Sequence, residues 1–395
     1  MRTTWNLLCG GLAAILFLAG CRGGENQDPI TPPPATAAAA AIDEALTARI
    51  PTPAADQTPT PPLPTATAAP SPTPGPTATI TPAPTPHPLS PYTIEGLRER
   101  PYPGGAIEVI MLLDENESYR RYFITYPSDE LAISGAMNIP RGQGPYPVLI
   151  LLHGYFDREE YYTGADTWQM ADFLARNGYI TIAPDYRSWG SSDSGQSFFH
   201  TGLVADAITL ISSLPSLPQA DTARVGLLGH SMGGGIATKV LVIDDRVSAA
   251  VLYAPNSADD ADLIGRWGPG CLPGQSFEAG DTCNPGEVIP ADLPQALTAA
   301  YLEAAADDQF LPRVAPINYL EAVKAPVQIH IGEEDGETLQ QTPPQWSRKL
   351  YEALQASGKE VTFFSYPGQG HYFLPPALGQ LMERSLAFFD EELRN

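Results

Sequence analysis

The chain has 395 residues, a formal charge of −23 and 43% hydrophobic residues. So strong an acidic excess argues against nucleic acid and against direct docking on anionic lipid, both of which reward clustered Lys and Arg. Four cysteines, none at zinc-ligand spacing, leave no sequence case for a metal centre.

Residues 1–20 read as an export signal. Arg2 opens it, and an apolar stretch runs from Leu7 to Gly20. That is shorter than the about 20 apolar residues a transmembrane helix needs. The stretch ends Leu18-Ala19-Gly20-Cys21, which resembles the lipobox of bacterial lipoproteins. The resemblance implies cleavage before Cys21, a diacylglycerol on its thiol and an extracytoplasmic protein held to a membrane. Residues 21–91 then form a spacer, with nineteen prolines between Pro29 and Pro91 among Thr, Ala and Ser. Such a composition has no apolar face to bury and predicts an extended, polyproline-like tether reaching at most roughly 200 Å.

Residues 92–395 read as one catalytic-size domain. "RRYFITY" (Arg120–Tyr126) and "LAISGAMNI" (Leu131–Ile139) predict two early strands, and "PVLILLHG" (Pro147–Gly154) a strand buried on both faces. Helix Thr167–Gly178, strand Tyr179–Arg187, helix Phe198–Leu214, strand Arg224–His230, helix Met232–Val242 and strand Val247–Pro255 follow. From Asn256 to Ala322 the periodicity fades. This insertion carries eleven acidic residues and Cys271 and Cys283, which export predicts to be disulfide-bonded. The alternation resumes with strand Pro326–Gly332, helix Pro343–Ser357, strand Val361–Pro367 and a helix near Ala377–Leu393. The pattern predicts an α/β fold, a mostly parallel twisted sheet with helices on both faces.

Within it, Gly229-His230-Ser231-Met232-Gly233 fits G-x-S-x-G between a predicted strand and a predicted helix. That context makes Ser231 a candidate nucleophile on a tight strand-to-helix turn. A serine hydroxyl needs a base in reach, and the base an orienting acid. Of the six histidines, His87 falls in the spacer, His153 and His230 read as structural beside their turns, and His330 lies inside a strand. His371, in "GQGHYF" after the last strand, is the expected base. "IHIGEEDGET" offers Glu333, Glu334, Asp335 and Glu337 as the acid. An oxyanion needs backbone donors; Met232 N–H opens the helix, and Tyr155 N–H follows "LLHG". Asp185 and Arg187, in "APDYRSWGSSD", are expected to form a structural ion pair.

Together, "HGYF", "APDYRSWGSSD", "GHSMGGG", "GEED" and "GQGHYF" resemble the α/β-hydrolase superfamily, in the order seen in its prolyl-oligopeptidase-like and dienelactone-hydrolase-like groups. The resemblance implies an α/β-hydrolase fold, cleavage of a small-molecule ester or peptide through an acyl-enzyme, and no metal or cofactor. Its chain order, serine then acid then histidine, sets His200 aside. Its G-x-x-D turn favours Asp335 over Glu334. The Asn256–Ala322 insertion falls where such enzymes carry a cap. "HGY" with "SMGGG" is also similar to bacterial cutinases, in which the Tyr and Met amides form the oxyanion hole. A departure is that only Tyr92–Arg141 precedes the first core strand, too little for the β-propeller of prolyl oligopeptidases, so an ester substrate is favoured over a peptide. The competing reading is a non-catalytic binding lipoprotein on a hydrolase scaffold.

Overall fold

The computed structural model describes residues 87–394. The stretch read as an export signal, Cys21 and nearly all of the proline-rich segment lie outside the described residues. Nine strands form one sheet in the order β1-β2-β3-β5-β4-β6-β7-β8-β9. β1 (Glu108–Glu115), β2 (Tyr119–Ser128) and β3 (Leu131–Pro140) pair antiparallel, and β3 meets β5 (Ile180–Pro184) antiparallel. From there β4 (Tyr146–Leu152), β6 (Ala220–His230), β7 (Val247–Tyr253), β8 (Val327–Gly332) and β9 (Val361–Tyr366) run parallel. This is the α/β-hydrolase fold.

β4 shows why the central strands read as unbroken apolar runs. Val148, Ile150 and Leu152 join one core while Leu149 and Leu151 join the other. α3 (Thr201–Ser213), α4 (Met232–Ile243) and α8 (Pro344–Ala356) cover the first face. α2 (Trp168–Arg176) and α9 (Ala377–Arg394) cover the second. Burial on both faces removes the period-two alternation and leaves strand length as the signal.

Three expectations change. β1 was not foreseen: it is an edge strand with two register shifts and no fully buried residue. Its residues Val109 to Leu113 are apolar throughout, yet none of them is buried, and backbone pairing to β2 holds the strand. The insertion is not aperiodic packing. It folds into α5 (Asp260–Trp267), α6 (Gln295–Ala305) and α7 (Leu311–Val314), with a small core of Tyr301, Phe310, Leu311 and Val314 against Phe198 and Phe199. Leu89 is fully buried in that core and His87 packs on Phe310 at 5.0 Å between ring centres. The folded unit therefore starts before Tyr92, and His87 belongs to it. Before β1 comes α1 (Ile94–Glu99), whose Ile94 and Leu97 are buried. Among the described residues no helix is long and apolar enough to cross a membrane.

Candidate active site

Ser231 follows the last residue of β6 and caps α4, with φ 54° and ψ −119°. A non-glycine residue held at positive φ is strained, and the surroundings must enforce it. The two glycines of the motif do so by close crossing. A Cβ at Gly229 would sit 2.3 Å from the Gly233 carbonyl oxygen, and one at Gly233 only 2.0 Å from that of Leu152. The turn is fixed further by Ser231 N–H, which donates to Tyr253 O at 2.9 Å, and by Asn256 N–H, which donates to Ser231 O at 2.8 Å.

His371 comes from the loop after β9, and its Nε2 lies 2.9 Å from Ser231 Oγ. Its Nδ1 lies 3.0 and 3.1 Å from the carboxylate oxygens of Asp335, in the turn after β8. The two loops cross where Gly332 has no Cβ; one there would be 2.2 Å from Gln369 O. Gly336 N–H donates to Asp335 Oδ1 at 2.7 Å, and Thr342 Oγ1 lies 2.9 Å from Oδ2. The structure thus brings Asp335, not Glu334, into line with His371. Burial holds the His371 imidazole below its ordinary value, against the raising pull of hydrogen-bonded Asp335. A neutral imidazole between a hydroxyl and a carboxylate is set to accept a proton from the hydroxyl.

A second acid–histidine pair lies beside the first, and no motif points to it. His230 Nδ1 is 2.8 Å from Asp166 Oδ2, which also accepts Gly154 N–H at 2.8 Å. His230 Nε2 is 3.3 Å from His371 O. Asp166 so links the loop after β4, the serine turn and the histidine loop. Burial opposes charge on His230, but the charge and hydrogen bond of Asp166 prevail and raise its pKa. Likewise burial pushes Asp166 up, and His230 more than reverses it. Sixty-four residues separate the partners, and no spacing rule connects them.

Tyr155 and Met232 both line a cleft at Ser231 that is partly open to solvent. Gly154 admits this approach, since its Cβ would be 3.1 Å from Ser231 Cβ. The insertion supplies the far wall through Trp267, Phe277, Asn284 and Gly286. Cys271 and Cys283 are joined in a disulfide that closes the loop bearing Phe277. Arg158 fastens this wall to the Tyr155 loop, donating from Nη2 to Pro285 O and to Glu287 O, each at 3.0 Å.

Asp185 and Arg187 do not pair with each other. Arg187 binds Asp206 at 2.7 Å and Asp129 at 2.9 Å. Asp185 accepts from Tyr161, Thr163 and Ser134, and burial pushes its carboxyl up to about 6. His153 and His330 are buried in hydrogen bonds away from Ser231, His153 to backbone carbonyls and His330 between Tyr366 and Gln328. His200, set aside by chain order, lines the cleft. Among the described residues no group of three or more His, Cys, Asp or Glu side chains is placed to hold a metal.

The fold and this site define the class of α/β-hydrolases. The model of the alpha/beta hydrolase family matches residues 149–379, and the chain belongs to that family. It is 31% identical over 103 residues to chlorophyllase-2 of Arabidopsis thaliana, covering 26% of this chain and 31% of that protein. Over the curated relatives it matches, the chain spans between 23% and 56% of their length. Acetyl xylan esterase 1 from a Thermoanaerobacterium species superposes with TM-score 0.54 at 18% identity, over 77% of this chain and 95% of that one. The acylaminoacyl peptidase of Pyrococcus horikoshii gives TM-score 0.50 at 20% identity, over 71% and 43%. At these identities the likeness is one of fold.

Proposed function

We propose that this hydrolase cleaves carboxylic esters through an acyl-enzyme on Ser231, outside the cytoplasm and tethered to a membrane through lipidated Cys21. The observation that carries the chemistry is the unbroken line Ser231 Oγ, His371 Nε2, His371 Nδ1, Asp335, with both contacts at hydrogen-bond length. Oγ attacks the acyl carbonyl while Nε2 takes its proton. The tetrahedral oxyanion is held by the Tyr155 and Met232 amides. Nε2 then gives the proton to the leaving alcohol oxygen as the C–O bond breaks. Water attacks the acyl-enzyme with His371 again as base, releasing the acid and restoring Ser231. The wall that the insertion raises beside Ser231 through Trp267 and Phe277 favours a small acyl group over a peptide.

The test is labelling with a fluorophosphonate probe, followed by assays on p-nitrophenyl esters and aminoacyl p-nitroanilides. Wild-type protein should label at Ser231 and turn over esters faster than anilides. S231A and H371A should each lose nearly all turnover, about 10⁶-fold by analogy with other serine triads, and the double variant should be little worse. Ester hydrolysis undiminished in S231A would overturn the proposal.

A further inference from the structure

The cleft contains two polar atoms that the triad chemistry leaves unused. His200 and Asn256 are each 5% exposed and both line the cleft beside Ser231. Among the described residues, His200 Nε2 and Asn256 Oδ1 have no hydrogen-bond partner. Glu287 Oε1, whose carboxyl burial pushes up to about 8, is 3.8 Å from Nε2, beyond hydrogen-bond distance. Buried polar groups are otherwise almost always paired, so two facing one cleft call for a ligand.

The backbone is built to present His200. Phe199 and His200 are consecutive non-glycine residues at φ 51° and 58°. Two buried polar contacts hold this strained turn. Lys239 Nζ donates to Phe199 O at 2.7 Å, and His200 N–H donates to Glu287 Oε2 at 3.2 Å. Strain of this kind persists where the surroundings enforce it, and it gathers at functional positions. Gly286 allows its loop to approach His200 closely. A Cβ there would lie 3.1 Å from both His200 Nε2 and Met232 Sδ, tighter than ordinary contact.

The cleft takes in Ser231, Met232 and Tyr155 but not His371. His371 protonates the leaving group, so the cleft receives the acyl side. Its back wall is neutral: Lys239 pairs with Asp260 at 3.0 Å, and burial keeps the His200 imidazole uncharged, with a pKa of about 3. No lysine or arginine is among the residues that line the cleft; Arg158 stands behind the wall and is engaged there by the carbonyls of Pro285 and Glu287.

We infer that His200 and Asn256 are specificity residues that read a neutral hydrogen-bonding group, a hydroxyl, on the acyl portion of the substrate. This rests on the proposed ester hydrolysis at Ser231. A hydroxyl both donates and accepts, so it can donate to Asn256 Oδ1 and engage His200 Nε2 in either tautomer. Trp267 and Phe277 line the same cleft and receive the carbon chain that carries it.

The experiment compares kcat/KM for p-nitrophenyl 3-hydroxybutyrate, p-nitrophenyl butyrate and the p-nitrophenyl monoester of succinic acid. Wild-type enzyme should favour the hydroxylated ester over the plain one by about tenfold, the scale of one net buried hydrogen bond, and the succinate least. H200L should bring the first ratio toward one, while H200Q should retain part of it. G286A, whose added methyl would crowd His200 Nε2 and Met232 Sδ at 3.1 Å, should also lower it. A wild-type ratio at or below one, a preference for succinate, or an unchanged ratio in H200L would each overturn the inference while Ser231 still labels. Failure of wild-type protein to label would instead overturn the underlying hydrolytic reading, and the inference with it.

Discussion

Ser231 and His371 are each exposed by less than a tenth, and their protonation follows from that. Burial lowers the His371 pKa below 6.5. The base acts only when neutral, so the acid limb of kcat/KM should fall below pH 6.5. An acid limb well above 6.5 would contradict the burial argument. The Asp166–His230 pair acts on stability instead. His230 is raised above 6.5, so its contribution is full below that value and is lost as pH climbs through the folded pKa. Asp166 is lowered below 3.8, so its contribution is present above that value and is lost as pH falls through the folded one. Thermal stability should therefore be highest between those limits. D166A leaves His230 and Gly154 N–H without their partner and should cost about 3–5 kcal/mol, as breaking a buried pair does. It should also flatten the dependence of Tm on pH. A D166A protein as stable as wild type would assign the pair no structural role.

At the scale of elements, the insertion decides what the cleft is. Phe277 lies inside the loop closed by Cys271 and Cys283, and Asn284 and Gly286 follow it directly. Closing a loop of this length removes roughly 3 kcal/mol of unfolded-state entropy in the chain-entropy model. C271S with C283S should lower Tm and also broaden the range of acyl chain lengths accepted, while fluorophosphonate labelling persists. Lost stability with an unchanged chain-length profile would make the bridge a staple alone. The insertion was also the least legible part of the sequence, and the reason is physical. The parallel strands, the serine turn and the helices packed on the sheet announce themselves by apolar runs and by glycines where backbones cross. α6 has only Tyr301, Ala304 and Ala305 buried, too few for a clear stripe. Chain order rightly set His200 aside as the base, but it says nothing of whether that residue lines the cleft. Asp166 was invisible because contact across the fold leaves no local trace. β1 carries the apolar run Val109 to Leu113, which does not alternate with polar residues and so shows no period-two pattern.

For the whole molecule, the first described residues matter. His87 and Leu89 join the small core of the insertion, so the chain enters the folded unit on the side that walls the cleft. Under the tethering proposal, C21A should move the protein from the membrane fraction to the soluble one and leave the intrinsic kcat/KM of ester cleavage unchanged. Mass spectrometry finding Cys21 unmodified in protein from its native host would end the tethering proposal.

The Arg158 clamp has a kinetic consequence. One guanidinium holds both the loop that presents the Tyr155 amide and the backbone at Pro285 and Glu287. An acyl chain too long for the cleft must push that backbone outward, and the push is transmitted to Tyr155. Oversized substrates would then be penalised in the transition state, where the oxyanion has to be met, rather than at the moment of capture. The enzyme would bind them and turn them over slowly, so that they behave as competitive inhibitors of the esters it is shaped to cleave.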